Sequence, residues 1–172
     1  MQIEIIKCHG SGNKFVMVDL TRGVEGFGDM AAFAREVCSH AEVDGSDGVL
    51  YVVHTGEHYA MRMFNPDGSE AEMCGNGIRC VGKYVYDKGY TDKKILSIET
   101  LSGIKHLTLQ IVGSKVKNVI VNMGKAEVEK PMNLTIDGNA VVLIPVSVGN
   151  PHAVIFVNDI KTAPLTTLGP KI

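Results

Sequence analysis

Cys74-Gly75-Asn76-Gly77-Ile78-Arg79-Cys80-Val81-Gly82-Lys83-Tyr84-Val85-Tyr86-Asp87-Lys88-Gly89 is the stretch on which the architecture turns. From about Asn76 to Lys88 it predicts a helix that ends at Gly89, a residue suited to the left-handed position just past a helix C-terminus. Ile78, Cys80, Val81, Gly82, Tyr84, Val85 and Tyr86 place apolar or small groups around most of its circumference. A helix of that kind is enclosed by other structure instead of lying on a surface. Short runs, many rich in Val and Ile, recur along the chain at residues 2–6, 14–20, 48–54, 57–64, 94–100, 104–112, 115–123, 139–148 and 152–157, and read as strands. Strands repeated around a buried helix predict an α+β fold, a strand-rich, barrel-like domain with that helix at its centre.

One further helix is expected after Asp29 as N-cap, where Met30, Phe33, Ala34, Val37 and Cys38 follow the spacing of an amphipathic surface helix. The weakest seam lies near Gly113-Ser114, after which a new strand run begins; it divides the chain into residues 1–117 and residues 118–172. The last segment, 162–172, carries no signal for a closing strand or helix.

Composition narrows the function classes. The 172 residues are 45% hydrophobic and 21% charged, with 17 Lys+Arg against 19 Asp+Glu, which excludes disorder driven by excess charge. The formal net charge of −2 lacks the basic excess by which proteins neutralise nucleic-acid phosphates. No apolar run approaches the roughly 18 residues that cross a bilayer, and the opening Met1 to Lys7 has an acidic residue and no long apolar stretch, so the cytoplasm is the expected location. Cys8, Cys38, Cys74 and Cys80 form no CxxC pair, so reduced thiols are expected.

The chemistry concentrates in Phe64 to Cys80, where Asn65-Pro66-Asp67-Gly68 and Gly75-Asn76-Gly77 are turn signals flanking one cysteine at a helix entrance. The first N–H groups of a helix have no partner within it, and the macrodipole adds about half a positive charge. An anion is favoured there, which makes Cys74 either a base or nucleophile, or simply a small apolar residue at a tight turn. At about 100° per residue, Cys80 lies about 120° around the helix from Cys74 and is expected in the core. His9-Gly10-Ser11-Gly12-Asn13 and Gly149-Asn150-Pro151-His152 stand at strand ends, as ligand loops or as plain turns. His152 is an acid–base group, an orienting group or a structural residue. His54 and His58 flank an expected hairpin turn and no third ligand accompanies them, so no metal site is expected. Gly10-Ser11-Gly12-Asn13 lacks the third glycine and the following helix of a dinucleotide site, and no bound cofactor is expected.

Several separate motifs together resemble the diaminopimelate epimerase family of cofactor-independent amino-acid epimerases. They are Lys7 to Val16, Asp44-Gly45-Ser46-Asp47-Gly48, Phe64 to Cys80 with its Met-Cys-Gly-Asn-Gly-Ile-Arg-Cys core, and Val148-Gly149-Asn150-Pro151-His152. The resemblance implies two similar domains, each a strand barrel around a central helix, with the active site between them. It implies Cys74 as one of two opposed cysteines that remove and return the α-proton of diaminopimelate, and His152 as the histidine that tunes the thiols. Asn13, Asn65 and Asn150 resemble substrate-contacting side chains, and Gly75 and Asn76 resemble the helix-entrance donors to the α-carboxylate. Lys14 departs from the family, which commonly has aspartate after that asparagine. Nothing in the chain matches the family's later loop with the partner cysteine or the Glu-Arg pair before it. The expectation is therefore a chain truncated before the second cysteine, inactive alone, with residues 118–172 as the opening of a second domain. An unpaired strand edge there invites association, a homodimer being the simplest form. Two other readings stay open: a non-catalytic amino-acid-binding module, and a half-size subunit whose two copies face their Cys74 thiols across a shared cleft.

Overall fold

The protein is described by a computed structural model over residues 3–23, 27–40, 43 and 45–172. Gln2 of the first expected strand and Asp44 of the middle motif lie outside the described residues. Two compact units divide the chain, residues 1–123 and 124–172.

The first unit contains β1 (Ile6–Gly10), β2 (Asn13–Leu20), α1 (Met30–Cys38), β3 (Val49–His54), β4 (Tyr59–Phe64), β5 (Glu70–Ala71), α2 (Gly75–Asp87), β6 (Ile95–Glu99), β7 (Lys105–Val112) and β8 (Lys115–Asn122). Its strands form one eight-stranded sheet in the order β1-β2-β3-β4-β6-β7-β8, with β5 beside β4. Pairing is antiparallel except between β2 and β3 and between β4 and β6. Helix α2 contacts β1 at one end of this order and β8 at the other, as well as the strands between them. The sheet therefore curls around the helix as a strand-rich half-barrel, the α+β arrangement anticipated from the enclosed character of residues 76–88. Strand β8 pairs with β7 from Lys115 to Asn122 with one register shift at Gln110/Ile111, and the first unit runs to Met123, beyond the seam at 117.

Side-chain alternation explains the runs. Along β2, Phe15 and Met17 turn into the α2-side core with Leu50, Val52, Ile78, Val81, Val85, Leu96, Ile98 and Leu107. Val16, Val18 and Leu20 turn to the other face and pack with Ala34, Val49, Tyr51 and Phe64, where α1 covers the sheet. Both faces of β2 and β3 are buried, so their sequences read as continuous apolar runs. Strand β7 buries only one face, and Leu107 and Leu109 alternate with exposed His106, Thr108 and Gln110.

Both helices keep the ends expected of them. The Asp29 carboxylate accepts from the Ala31 and Ala32 N–H groups at the start of α1. At the end of α2, Gly89 N–H bonds the Tyr86 carbonyl and Tyr90 N–H bonds the Val85 carbonyl, with Gly89 at φ +76°. This is the paired-bond stop that glycine permits. Within α2 only Lys83 is exposed. Gly82 lets the helix approach the sheet, since a Cβ there would stand 2.5 Å from Leu107 Cδ2.

Three expectations shift. The first strand spans 6–10 instead of 2–6, because its partner is β2 across the tight Ser11-Gly12 turn, while Ile3 and Ile5 pack as non-strand residues against the α1-side core. In the second unit, β10 (Met132–Ile136) was not anticipated; it pairs with β11 (Asn139–Ser147) through Asp137-Gly138, both at positive φ. The segment 162–172 holds a four-residue helix α3 (Leu165–Leu168) and a 3₁₀ turn at Gly169–Lys171. Strands β9 (Glu127–Val128) and β12 (Pro151–Val154) flank the later half of β11.

Candidate functional site

The site is built on the first turn of α2. Cys74 is the N-cap, with an extended backbone at φ −138° and ψ 107°. Its Sγ accepts from the Gly77 N–H at 3.3 Å, and its carbonyl accepts from the Ile78 N–H at 2.9 Å. The Gly75 and Asn76 N–H groups, by helix geometry, have no partner within the helix. Gly77 must be glycine for this turn to sit where it does. A Cβ there would stand 2.8 Å from Leu50 Cδ2, in the core, and 3.5 Å from the Cys74 sulfur.

A polar relay runs across this turn. Asp47 accepts from Asn13 Nδ2 at 3.1 Å and from the Lys14 N–H at 2.8 Å. Asn13 Oδ1 accepts from Asn76 Nδ2, and Asn76 Oδ1 accepts from the Arg79 guanidinium, which also donates to Ser11 Oγ at 3.0 Å. A carboxylate at one end and a guanidinium at the other orient both amides, because only one flip of each satisfies its charged neighbour. The β1–β2 turn brings Asn13 here, with Ser11 at φ 48° and Gly12 at φ 95°, the twist that suits a two-residue hairpin. The approach is close: a Cβ on Gly10 would stand 2.7 Å from the Asn76 carbonyl oxygen. Lys14, the departure in this loop, leaves its backbone in the relay while its side chain is not needed for it.

The expected site residues thus fall into three groups. Cys74, Gly75, Asn76 and Asn13 come together at the helix entrance. Asn65, at the end of β4, is held in its own turn by a bond to Ser69 Oγ at 3.0 Å, while Asp67 accepts from the Ser69 N–H and hydroxyl. Asn150 and His152 belong to the second unit, where His152 Nε2 lies 3.1 Å from Asn150 Oδ1. Asp47, Arg79 and Ser11 complete the relay and were not among the expected site residues. Ser11 stands in the expected ligand loop and Asp47 in the middle motif, and the i, i+3 placement of Arg79 and Asn76 puts those two on one helix face. Cys80, expected in the core, is half-buried at its rim beside Cys8. Among the described residues no cluster of three or more His, Cys, Asp or Glu is placed to hold a metal ion, and no helix is long and apolar enough to cross a membrane.

Chemically, the entrance offers two N–H groups without a partner inside the helix, the positive end of a 13-residue helix and a sulfur already accepting from a third N–H. It suits an anionic oxygen or sulfur, and the relay presents two fixed amides beside it.

Comparison with known proteins shows the family and the fold. The family model for diaminopimelate epimerase matches residues 5–129. Diaminopimelate epimerase from Desulfitobacterium hafniense is 40% identical over 185 residues, covering 99% of this chain and 65% of that protein. The enzyme of that name from Moorella thermoacetica is 42% identical, covering 99% and 66%, so this chain spans about two thirds of the length of these relatives. In fold, it is similar to a probable proline racemase from Agrobacterium radiobacter K84, with a TM-score of 0.70 at 14% identity over 94% of this chain and 54% of that one. A predicted epimerase from Pseudomonas aeruginosa matches with a TM-score of 0.64 at 15% identity, over 98% of this chain and 67% of that one. With its half-barrel wrapped on α2 and its cysteine-capped helix entrance, the chain belongs to the diaminopimelate epimerase family.

Proposed function

We propose that this chain supplies the carboxylate-holding helix entrance and one of two proton-transferring cysteines of an epimerase that interconverts L,L- and meso-diaminopimelate without a cofactor. The α-hydrogen of an amino acid is a very weak acid, and the charge left on the α-carbon spreads into the adjacent carboxylate as the proton leaves. Donors aimed at that carboxylate stabilise the enediolate-like state more than the ground state. In this reading the Gly75 and Asn76 N–H groups, at the positive end of α2, take that part. Cys74, as thiolate, takes the α-proton from one face of the stereocentre. A second thiol, from the third of the family length that this chain does not span, gives a proton to the other face, and the roles exchange in reverse. Asn13, Asn65 and Asn150 hold the substrate's polar groups, and His152 tunes protonation at the thiols. The first compact unit is read as the domain that carries this entrance, and the second as the opening strands of another.

The observation that carries the reading is the Cys74 sulfur capping α2 beside the fixed Asn76–Asn13 pair. A two-base reaction needs an acid opposite the base, so the chain alone is expected not to exchange the substrate α-hydrogen with deuterated water. Adding the C-terminal part of the Moorella relative should restore exchange with inversion, and Cys74→Ser should abolish it again. Inversion by the 172-residue chain on its own, or equal activity of the Cys74→Ser mixture, would overturn the proposal.

A further inference from the structure

Cys8 and Cys80 take no part in the chemistry assigned to Cys74, yet the fold sets them against each other. Along β1, Ile6, Cys8 and Gly10 are half-buried while Lys7 and His9 are exposed, so Cys8 and Gly10 share the face turned to α2. On α2, Asn76 and Cys80 are four residues apart and share a face. Gly10 presses on the Asn76 backbone. From that contact, two residues back along the strand advance about 6.8 Å, and four residues forward along the helix advance about 6 Å. Strand and helix running in opposite senses therefore bring Cys8 towards Cys80. Both are half-buried, and both line a cavity of about 480 Å³ whose wall also carries Lys83, Lys88, Lys115 and Asp87.

We propose that Cys8 and Cys80 form an oxidisable dithiol site, which hydrogen peroxide closes to a disulfide that ties β1 to α2. The Cys8 thiol beside it, with the nearby Arg79 charge, holds the Cys80 thiol below its ordinary range against the effect of burial, whereas Cys8 is pushed up. Cys80 is thus the attacking sulfur. Its thiolate breaks the peroxide O–O bond and becomes a sulfenic acid, and the departing hydroxide takes up a proton as water. The Cys8 sulfur then displaces the sulfenic hydroxyl, its proton leaving with that oxygen as a second water. Two thiols are oxidised by two electrons and one peroxide is reduced to two waters.

The test needs neither substrate nor turnover, so its outcome is independent of the epimerase reading. The full chain is treated with one equivalent of hydrogen peroxide at neutral pH, remaining thiols are alkylated, and peptides are mapped by mass spectrometry. The expected result is one linked pair, Cys8 with Cys80, formed at least about tenfold faster than the Cys38 thiol is lost and reopened by dithiothreitol. Cys8→Ser should abolish the link and leave Cys80 as a sulfenic acid trapped by dimedone. A link between any other pair, full alkylation of Cys8 and Cys80 after peroxide, or oxidation of Cys80 no faster than Cys38 would overturn the proposal. The mapping of the unsubstituted chain decides even if the variant folds poorly.

Discussion

Cys74 owes its place to two demands that one short side chain meets together: its extended backbone starts α2, and its sulfur accepts a first-turn N–H. Asn76, two residues on, has its amide fixed from one side by Arg79 and from the other by Asn13, whose own amide is set by Asp47. Hydrogen bonds to charged groups contribute about 1.5–3 kcal/mol each. Breaking the relay at Asp47→Asn, which weakens the acceptor that orients Asn13, should therefore weaken the protection of Cys74 from iodoacetamide by diaminopimelate about tenfold. Asn13→Ala should act in the same direction. Unchanged protection in both variants would separate the relay from ligand binding. At this scale the sequence exposed the residue types but not the partners: Cys74, Asn76 and Asn13 were legible from turn chemistry and motif. Asp47 and Arg79 acquire their part only because Asn13, 63 positions from Asn76, is folded back onto it.

Elements followed local signals where those signals were strong. Asp29 caps α1 at the residue expected, and the Gly89 stop of α2 was legible because a positive φ one residue past the cap calls for glycine. The strand Met132–Ile136 escaped because its alternation is thin, although Asp137-Gly138 after it carries the hairpin signal. The closeness of α2 to its sheet rests on Gly82. Gly82→Ala should force Leu107, a fully buried side chain, out of its position and lower the unfolding free energy by about 1–3 kcal/mol. Urea denaturation checks this, and a loss below a few tenths would mean that the strand gives way freely. The far end of β2 is tied to α2 by Asp19, which accepts from Tyr84 at 2.9 Å, Tyr90 at 2.6 Å and Thr21. Burial pushes the Asp19 carboxyl up, but the hydrogen bonds from Tyr90, Thr21 and Tyr84 outweigh it and hold the group below its usual range. A depressed folded value means that the unfolded chain binds the proton more readily. The stabilisation is present above the unfolded value of about 3.9 and is lost as pH falls through the folded one. Urea midpoints followed from pH 6 to pH 3 should fall more steeply for the native chain than for Asp19→Asn.

Over the whole molecule the two units differ in what holds them. The first has two buried clusters, one on each face of its central strands. In residues 124–172 only Leu143 is buried, while Phe156 and Ile160 are more than four-fifths exposed. Few buried apolar contacts mean low local opening energies. Amide hydrogens of β10, β11 and β12 should therefore exchange well ahead of those of β3 and α2, as hydrogen-exchange mass spectrometry will read; equal protection would show that the second unit is as firmly held as the first.

By itself the sequence determined the two main helices, most of the strand runs and the character of α2 as an enclosed element, because each depends on spacing and capping within a few residues. It also placed a cysteine at a helix entrance. Only the tertiary structure decided the curl of the sheet from β1 round to β8, the meeting of Asn13 with Asn76, and the placing of Cys8 and Cys80 on one cavity wall. The last two join residues more than sixty positions apart and the first joins strands distant in sequence, which register and packing select and no local pattern records.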